Sequence, residues 1–429
     1  MFKKQFNYKA KGFLFLLSLS IFLSGCVPPE QANTTNIQAN TNTNVSQNVN
    51  SNDANAETAS DVSIYGDDEV ISEQQVEQGR LDQDWKKFVQ LDPPTEKGGA
   101  QNREKSGDVT PENLNNGKQH TPLSGDAAGP SVLRVQILLD RSNFSPGIMD
   151  AKWGKNTEKA VYWLQKSQGM PANGQVDQQT YQKLIELAGN PDRFISEHKL
   201  TEKDVSGPFV KIPADIYEKE KLECMCFESL EEKLSETFHS SPALLKQLNP
   251  KATLNDLKAG DTIMVPNVTG KEGSQNKDVA RIVVSDGGKY VHGLDSQGKL
   301  VVHYPSTLGS KYNPSPEGEY KVTAIARDPT WHYQPQLLGK GEGKTAMIPP
   351  GPNNAVGVIW MALSKPHFGI HGTNAPETIG YTTSSGCIRL TNWDATDLGG
   401  RIEKGTPVEF RDTVNRSENA ANSGNTNSK

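Results

Sequence analysis

From Val27 to about Gly125 the chain is built largely of Asn, Thr, Gln, Ser, Asp and Glu, and through Asn50 it holds almost no apolar side chain. Such a segment cannot bury enough surface to offset its conformational entropy, so any substantial core must come from the residues that follow. A weak apolar side at Val76, Trp85, Phe88 and Val89 allows a transient helix between Ile71 and Leu91. Read as coil over residues 26–126, the segment is a tether with a root-mean-square reach of about 50 to 60 Å. At 429 residues the whole chain has room for about three domains.

The tether has a special beginning. Lys3, Lys4, Lys9 and Lys11 precede an apolar run from Phe13 to Leu23, which ends in Leu23-Ser24-Gly25-Cys26. That is the pattern of an export signal over residues 1–25, and the run is too short for a stable transmembrane helix. Leu-Ser-Gly-Cys resembles a bacterial lipobox, which implies cleavage before Cys26 and a lipid anchor on its thiol; ordinary secretion with an incidental cysteine is the alternative. Val27 gives no aspartate-type retention signal. The implied place is the cell envelope, periplasmic or facing the wall, with the outer membrane favoured where a cell has one. A net charge of −6 without a basic, aromatic-bearing stripe argues against a nucleic-acid partner. Four cysteines are too few for a disulfide framework.

Residues 127–190 hold a half-repeat. Gly147-Ile-Met-Asp150 runs into Asn156-Thr157 and an apolar face at Ala160, Val161 and Leu164; Gly174-Gln-Val-Asp177 runs into Thr180 and a face at Leu184 and Leu187. Each unit reads as turn, N-cap and amphipathic helix, and a helix over Val132 to Leu139 completes a three-helix bundle. The pattern resembles the peptidoglycan-binding domain found beside wall enzymes; a bundle without glycan affinity gives the same helix signals. In residues 211–268, Ser229-Leu-Glu-Glu232 is a capping box, Ser241-Pro242 starts a second helix, and Gly260 to Pro266 reads as a closing strand. This strand, helix, helix, strand order resembles a LysM domain, with Glu223-Cys-Met-Cys-Phe227 as a degenerate opening strand. The Cys224/Cys226 pair is open to three readings: small residues in a partly buried strand, which is favoured, a metal fragment, or a disulfide.

Residues 279–411 are strand-rich, with Arg281-Ile-Val-Val, Lys289-Tyr-Val-His and Leu300 to Tyr304 alternating around an Asp295-Ser-Gln-Gly298 turn, and Gly405 to Phe410 closing the sheet. Trp331 to Pro350 reads as a mobile flap. Within this region lies His367-Phe-Gly-Ile-His371-Gly-Thr, then Ser384-Ser-Gly-Cys387-Ile-Arg389. One cysteine on a small-residue turn, with an imidazole upstream and an arginine just downstream, outlines a thiol nucleophile site. Gly386 lets a carbonyl approach the sulfur and offers backbone N–H groups, with that of Cys387, to an oxyanion. His367 and His371 have the spacing of a zinc helix, but Phe368 and Gly369 occupy the places of its glutamate and helix former, which argues against a metal. His367 is expected on the strand face of His371. His292, His303 and His332 read as surface residues of strands or loops.

These residues resemble the L,D-transpeptidase catalytic domain, whose signature is a histidine, a loop, and Ser-x-Gly-Cys-x-Arg. Ser385 stands where the family often has histidine. The resemblance implies a multidomain protein with a mainly β catalytic sandwich, whose approach to the cleft includes Gly351-Pro-Asn353-Asn354, and a disordered tail over residues 412–429. It implies Cys387 as nucleophile, His371 as proton acceptor and donor, the Ser385 carbonyl as the group that orients His371, Gly386 in the oxyanion hole, and Arg389 organising the site or pairing a substrate carboxylate. Salt bridging beneath the turn is the alternative for Arg389. His367, Ser384, Gly372 and Thr373 would line the cleft. The implied reaction releases the terminal D-alanine of a donor tetrapeptide and passes the thioester to an amine of another peptidoglycan stem or a wall-linked protein, with no cofactor. Glycan strands, a membrane lipid anchor and carbapenem inhibitors follow as partners. An L,D-carboxypeptidase using water, or a non-catalytic wall-binding lipoprotein, is the competing reading.

Overall fold

The computed structural model describes residues 108–268, 274–310, 312–338 and 340–411. The export signal, Cys26, the tether up to residue 107 and the tail at 412–429 lie outside the described residues. The folded body begins before the expected end of the tether. Helix α1 (Pro111–Asn116) starts at Thr110, whose hydroxyl accepts the Asn113 N–H, and it buries Leu114 completely. Arg134, 2% exposed, donates to the carbonyls of Leu114, Lys118 and Gly117 at 2.9, 3.1 and 2.9 Å. Val109 and Leu114 join Leu133, Ile137 and Ile195 in one cluster, enough apolar surface to hold a segment whose composition reads as coil.

The bundle consists of α2 (Pro130–Arg141), α3 (Lys155–Ser167) and α4 (Gln178–Leu187) around Val135, Leu138, Val161, Leu164 and Leu184. Its two half-repeats differ at the cap. Asp177 accepts the Thr180 N–H at the start of α4, whereas Gly154 precedes α3 without a side-chain cap. Asn156, expected as the cap, lies in the first turn and donates instead to the Ile379 carbonyl at 2.9 Å.

A βααβ core follows, shifted from its expected span. Its opening strand is β1 (Ile195–Lys199), antiparallel to β2 (Thr262–Pro266). Helical turns α5 (Glu202–Val205) and α6 (Ile216–Lys219) come next, then α7 (Leu230–Thr237), capped by Ser229, and α8 (Pro242–Leu248), capped by Ser241. Glu223 to Phe227 is not a strand, and Cys224 and Cys226 are joined by a disulfide with Cα atoms 5.2 Å apart. Met225 is the buried residue there, and its backbone bonds run to a loop: its N–H donates to Pro350 and its carbonyl accepts from Asn353, both at 2.8 Å.

The remaining chain forms β3 (Arg281–Ser285), β4 (Tyr290–Leu294), β5 (Leu300–Pro305), β6 (Gly318–Arg327), β7 (Trp331–Tyr333), β8 (Ala346–Ile348), β9 (Ile359–Leu363), β10 (Gly369–His371), β11 (Ile388–Arg389), helix α9 (Asn392–Arg401) and β12 (Pro407–Arg411). Eight strands make one sheet in the order β11-β10-β9-β6-β12-β3-β4-β5, while β7 and β8 pair as the flap. This is a single curled sheet where a sandwich was expected. Beyond β5 the chain meets the opposite edge, where Thr307 and Arg389 exchange backbone bonds of 3.0 and 2.9 Å. Ile282, Val291, Val302, Met361, Ile370, Ile388 and Leu398 fill the space the curl encloses.

The helical bundle packs directly on this sheet. Ser145 donates its N–H to His303 at 2.8 Å and its hydroxyl to Asp394 at 2.9 Å, and Lys159 donates to the Gly288 carbonyl at 3.1 Å. Trp163 lies edge-on to Tyr290 and His292, with centroids 5.1 and 4.7 Å away. His292 and His303 are therefore buried, not on the surface, and share a 2.9 Å hydrogen bond. Burial lowers Lys159 to about 7, so about half of it is still charged at neutral pH, and His292 to about 3, which leaves that imidazole uncharged there.

Because the modules share this interface, a chain reduced to residues 274–411 is expected to melt well below one comprising 108–411. Trp163→Ala in the longer chain should lose about 3 to 5 kcal/mol of stability, as large aromatic truncations do. Equal melting midpoints for the two chains, measured by calorimetry, would mean that the modules are independent.

Candidate active site

Side-chain alternation places the chemistry. Strands β10 and β11 run parallel, with Ile370 opposite Ile388 and His371 opposite Arg389. Ile370 and Ile388 both point into the enclosed core. In a pleated strand the neighbouring residues must face the other way. Thus His371 and Arg389, with Cys387 just before β11, share one cleft, which has a volume of about 400 Å³. Trp331, Trp360 and Phe368 supply its apolar walls, and Arg389 and Lys340 its cations; no carboxylate among the described residues lines it.

Cys387 follows Gly386, whose φ of 118° suits only glycine. A Cβ there would also lie 2.9 Å from the Phe368 ring and 3.2 Å from the Pro314 carbonyl. The turn is braced from both sides. Ser384 Oγ donates to the Cys387 carbonyl at 2.6 Å and accepts the Gly386 N–H at 3.1 Å, and Ser315 Oγ donates to the Gly386 carbonyl at 2.9 Å. The Gly386 N–H is therefore already engaged and does not face an oxyanion, contrary to expectation. The Cys387 N–H has no acceptor among the described residues and is the donor left to meet an oxyanion. Ser384 is a brace of the turn at the edge of the cleft.

The Cys387 sulfur opens onto the cleft and donates to the His367 carbonyl at 3.6 Å. Burial pushes the thiol up from its ordinary value, against the Gly369 N–H and the Arg389 charge, which favour thiolate. His371 moves the opposite way. Burial, then Arg389, lowers it to about 3, although the Gly372 and Val356 carbonyls favour its protonation. The resting pair is accordingly a neutral thiol and a neutral imidazole.

The imidazole is held by the Gly372 and Val356 carbonyls and by the Trp360 ring. Nδ1 lies 2.7 Å from the Gly372 carbonyl, which can only accept, so Nδ1 carries the hydrogen and Nε2 keeps its lone pair. The Trp360 ring stacks on it with centroids 5.2 Å apart. The orienting carbonyl is thus that of Gly372, not Ser385, as the motif implied. Ser385 stands exposed on the crest of the turn, while the chain leaving β10 brings the Gly372 oxygen back to its neighbour's ring. Gly372 and Thr373 are buried behind the site and do not line it.

His367 departs from its expected place on the strand. It occupies a turn at φ 67° before β10, and its exposed side chain lines the cleft mouth. Arg389 has no carboxylate partner among the described residues, and its buried Nε has no acceptor there. The salt bridge beneath the turn is absent there, which leaves the guanidinium available to a ligand. His332, read as a surface residue, lies on the flap and lines the cleft. Asn392 was missed altogether: its Oδ1 accepts the N–H groups of Thr373 and Val358 at 3.1 and 3.2 Å. Its one sequence signal was its place just after a capping threonine, which says nothing of the active site.

A family model described as the L,D-transpeptidase catalytic domain matches residues 280–410, and one for a peptidoglycan binding domain matches residues 128–184. Among curated relatives, an L,D-transpeptidase of Bacillus licheniformis is 32% identical over 181 residues, covering 42% of this chain and 92% of its own. Its counterpart in Bacillus subtilis is 31% identical, covering 42% and 89%. A solved L,D-transpeptidase from Xylanimonas cellulosilytica aligns at 14% identity over 68% of this chain and 98% of its own, with a TM-score of 0.29.

Two expectations follow from this geometry. With the imidazole lowered to about 3, acylation of the thiol by a chromogenic β-lactam should show no half-rate point between pH 5 and 8; an inflection near 6.5 would indicate an ordinary solvated histidine. Ser384→Ala, which strips both bonds from the turn, should slow acylation about tenfold. Ser385→Ala should stay within about twofold, because Ser385 makes no side-chain bond there. The reverse ranking would overturn this account of the turn.

Proposed function

The chain belongs to the L,D-transpeptidase family, and from that premise we propose how its residues carry the reaction. The protein is a peptidoglycan L,D-transpeptidase, an acyl-transferring enzyme. Cys387 Sγ attacks the carbonyl of the third stem residue in a donor tetrapeptide while His371 Nε2 takes the thiol proton. A base that is unprotonated at neutral pH and a thiol that is not ionised make the transfer concerted with attack. The tetrahedral oxyanion is met by the Cys387 N–H. As it collapses, the C–N bond breaks, His371 returns the proton to the leaving D-alanine amine, and a thioester remains. An acceptor amine then attacks and gives its proton to His371, the C–S bond breaks, and His371 passes that proton to the departing sulfur, restoring the neutral thiol and imidazole.

The parallel register that puts His371 and Cys387 on one cleft face is the observation that carries this assignment. Arg389 and Lys340, with no carboxylate among the lining residues, give the cleft the sign needed for the anionic end of a stem peptide. We take an amine of a second stem or of a wall-linked protein as the acceptor. Water would make the same thioester chemistry an L,D-carboxypeptidase. The bundle at 128–184 would hold the enzyme on peptidoglycan. The βααβ core is proposed as a divergent LysM module that contributes glycan affinity, and Cys26 as a lipidated anchor in the cell envelope.

Incubation of the protein with a purified disaccharide tetrapeptide, followed by mass spectrometry, tests the reading. Crosslinked dimer and free D-alanine are expected; a trimmed tripeptide alone would make the enzyme a carboxypeptidase. Cys387→Ala should abolish D-alanine release, and a carbapenem should add once to the wild type and not to that variant. Turnover by Cys387→Ala near the wild-type rate would refute the mechanism.

A further inference from the structure

We propose that Glu236, on helix α7 of the βααβ module, is a positioning residue for the His371 imidazole and acts through the side-chain amide of Asn392. The inference rests on the reading of His371 as the base. Its starting point is one peptide group. The Gly372 carbonyl that accepts from His371 Nδ1 and the Thr373 N–H that donates to Asn392 Oδ1 belong to the same planar unit. Fixing its N–H side therefore fixes the direction of its C=O side, and with it the imidazole. Asn392 is placed for this by standing at the first position of α9. Gly357 and Gly372 pack so closely on its Oδ1 that neither could carry a Cβ.

The Asn392 amide could hold that peptide only in one orientation, and its other end sets which. Nδ2 donates to Glu236 Oε1 at 2.9 Å and to the Pro352 carbonyl at 3.2 Å, while Oδ1 accepts two N–H groups. All four valences are used, so a flipped amide would confront donor with donor and acceptor with acceptor. Of the four partners, Glu236 alone is a side chain, and it alone comes from outside residues 279–411. It therefore ties the accessory module to the base.

Burial supports the assignment. Glu236 borders a cavity of about 430 Å³ between the module and α9, beside Phe238, His239 and Trp393. Desolvation, aided by Glu232, pushes its carboxyl up to about 8 despite the Asn392 bond. At neutral pH the group is an uncharged acid whose shape and polarity glutamine reproduces.

The test uses the full chain and a chromogenic β-lactam. Glu236→Gln should acylate within about twofold of wild type, whereas Glu236→Ala, and Glu236→Met, which keeps the packing, should each lose about tenfold in the maximal rate with little change in half-saturation. Asn392→Ala should lose more, and the Glu236→Ala/Asn392→Ala double variant no more than Asn392→Ala alone, because both act on one peptide. The His371 ring ¹⁵N shifts should move in Glu236→Ala and Glu236→Met and stay in Glu236→Gln. Melting temperature is followed in parallel. A Glu236→Met enzyme that melts lower yet acylates at the wild-type rate with unmoved ring signals would reduce Glu236 to a structural contact and overturn the proposal. So would strictly additive losses in the double variant. Failure of the wild type itself to acylate would instead count against the thioester mechanism.

Discussion

The parallel pairing of β10 with β11 is the constraint on which the site depends. Strands joined by a crossover must be brought together by the intervening chain, and here that chain is the loop from Gly372 to Cys387, which carries the nucleophile. Register then does the rest: a shift of one residue would send His371 into the apolar core and Ile370 into the cleft. Thr307 pins the outer side of β11 through two backbone bonds, so the strand carrying Arg389 is held between two neighbours despite its length of two residues.

Burial sets the electrostatic character of the cleft. The same desolvation that raises the thiol lowers the imidazole, so the pair rests without charge separation. Arg389 then stands as a fixed cation beside two neutral groups. It favours negative charge wherever it develops, first at the sulfur and then at the substrate oxygen. An uncharged resting nucleophile is also slow to oxidise, since oxidation proceeds through thiolate.

Much of this was legible in the residues, and what was not has a common cause. The Ser-x-Gly-Cys-x-Arg turn, the caps at Asp177, Ser229 and Ser241, and the hairpin at Asp295 are local signals, and each appears in the structure. The errors arose where one module covers another. His292 and His303 read as surface because an alternating strand shows two faces and the sequence does not say that Trp163 lies on one of them. The opening strand at Ile195 carries a single buried apolar residue over five positions, so its signal was faint, while Met225 between two cysteines imitated a strand. The orienting carbonyl was assigned to Ser385 from the motif; backbone direction, which decides the matter, is invisible in side-chain identity. Glu236 carries no local signal in the sequence; its bond to Asn392 exists only because α7 packs against α9.

Strand β12, at the end of the described chain, sits in the interior of the sheet, antiparallel to β6 and parallel to β3. The strands bearing the imidazole and the thiol turn lie on one side of it and β3, β4 and β5 on the other. Among the described strands β12 comes after all the others in the chain, and it alone joins the two half-sheets through the middle. A nascent or truncated chain lacking Pro407–Arg411 would carry both reactive side chains and still have no continuous sheet beneath them.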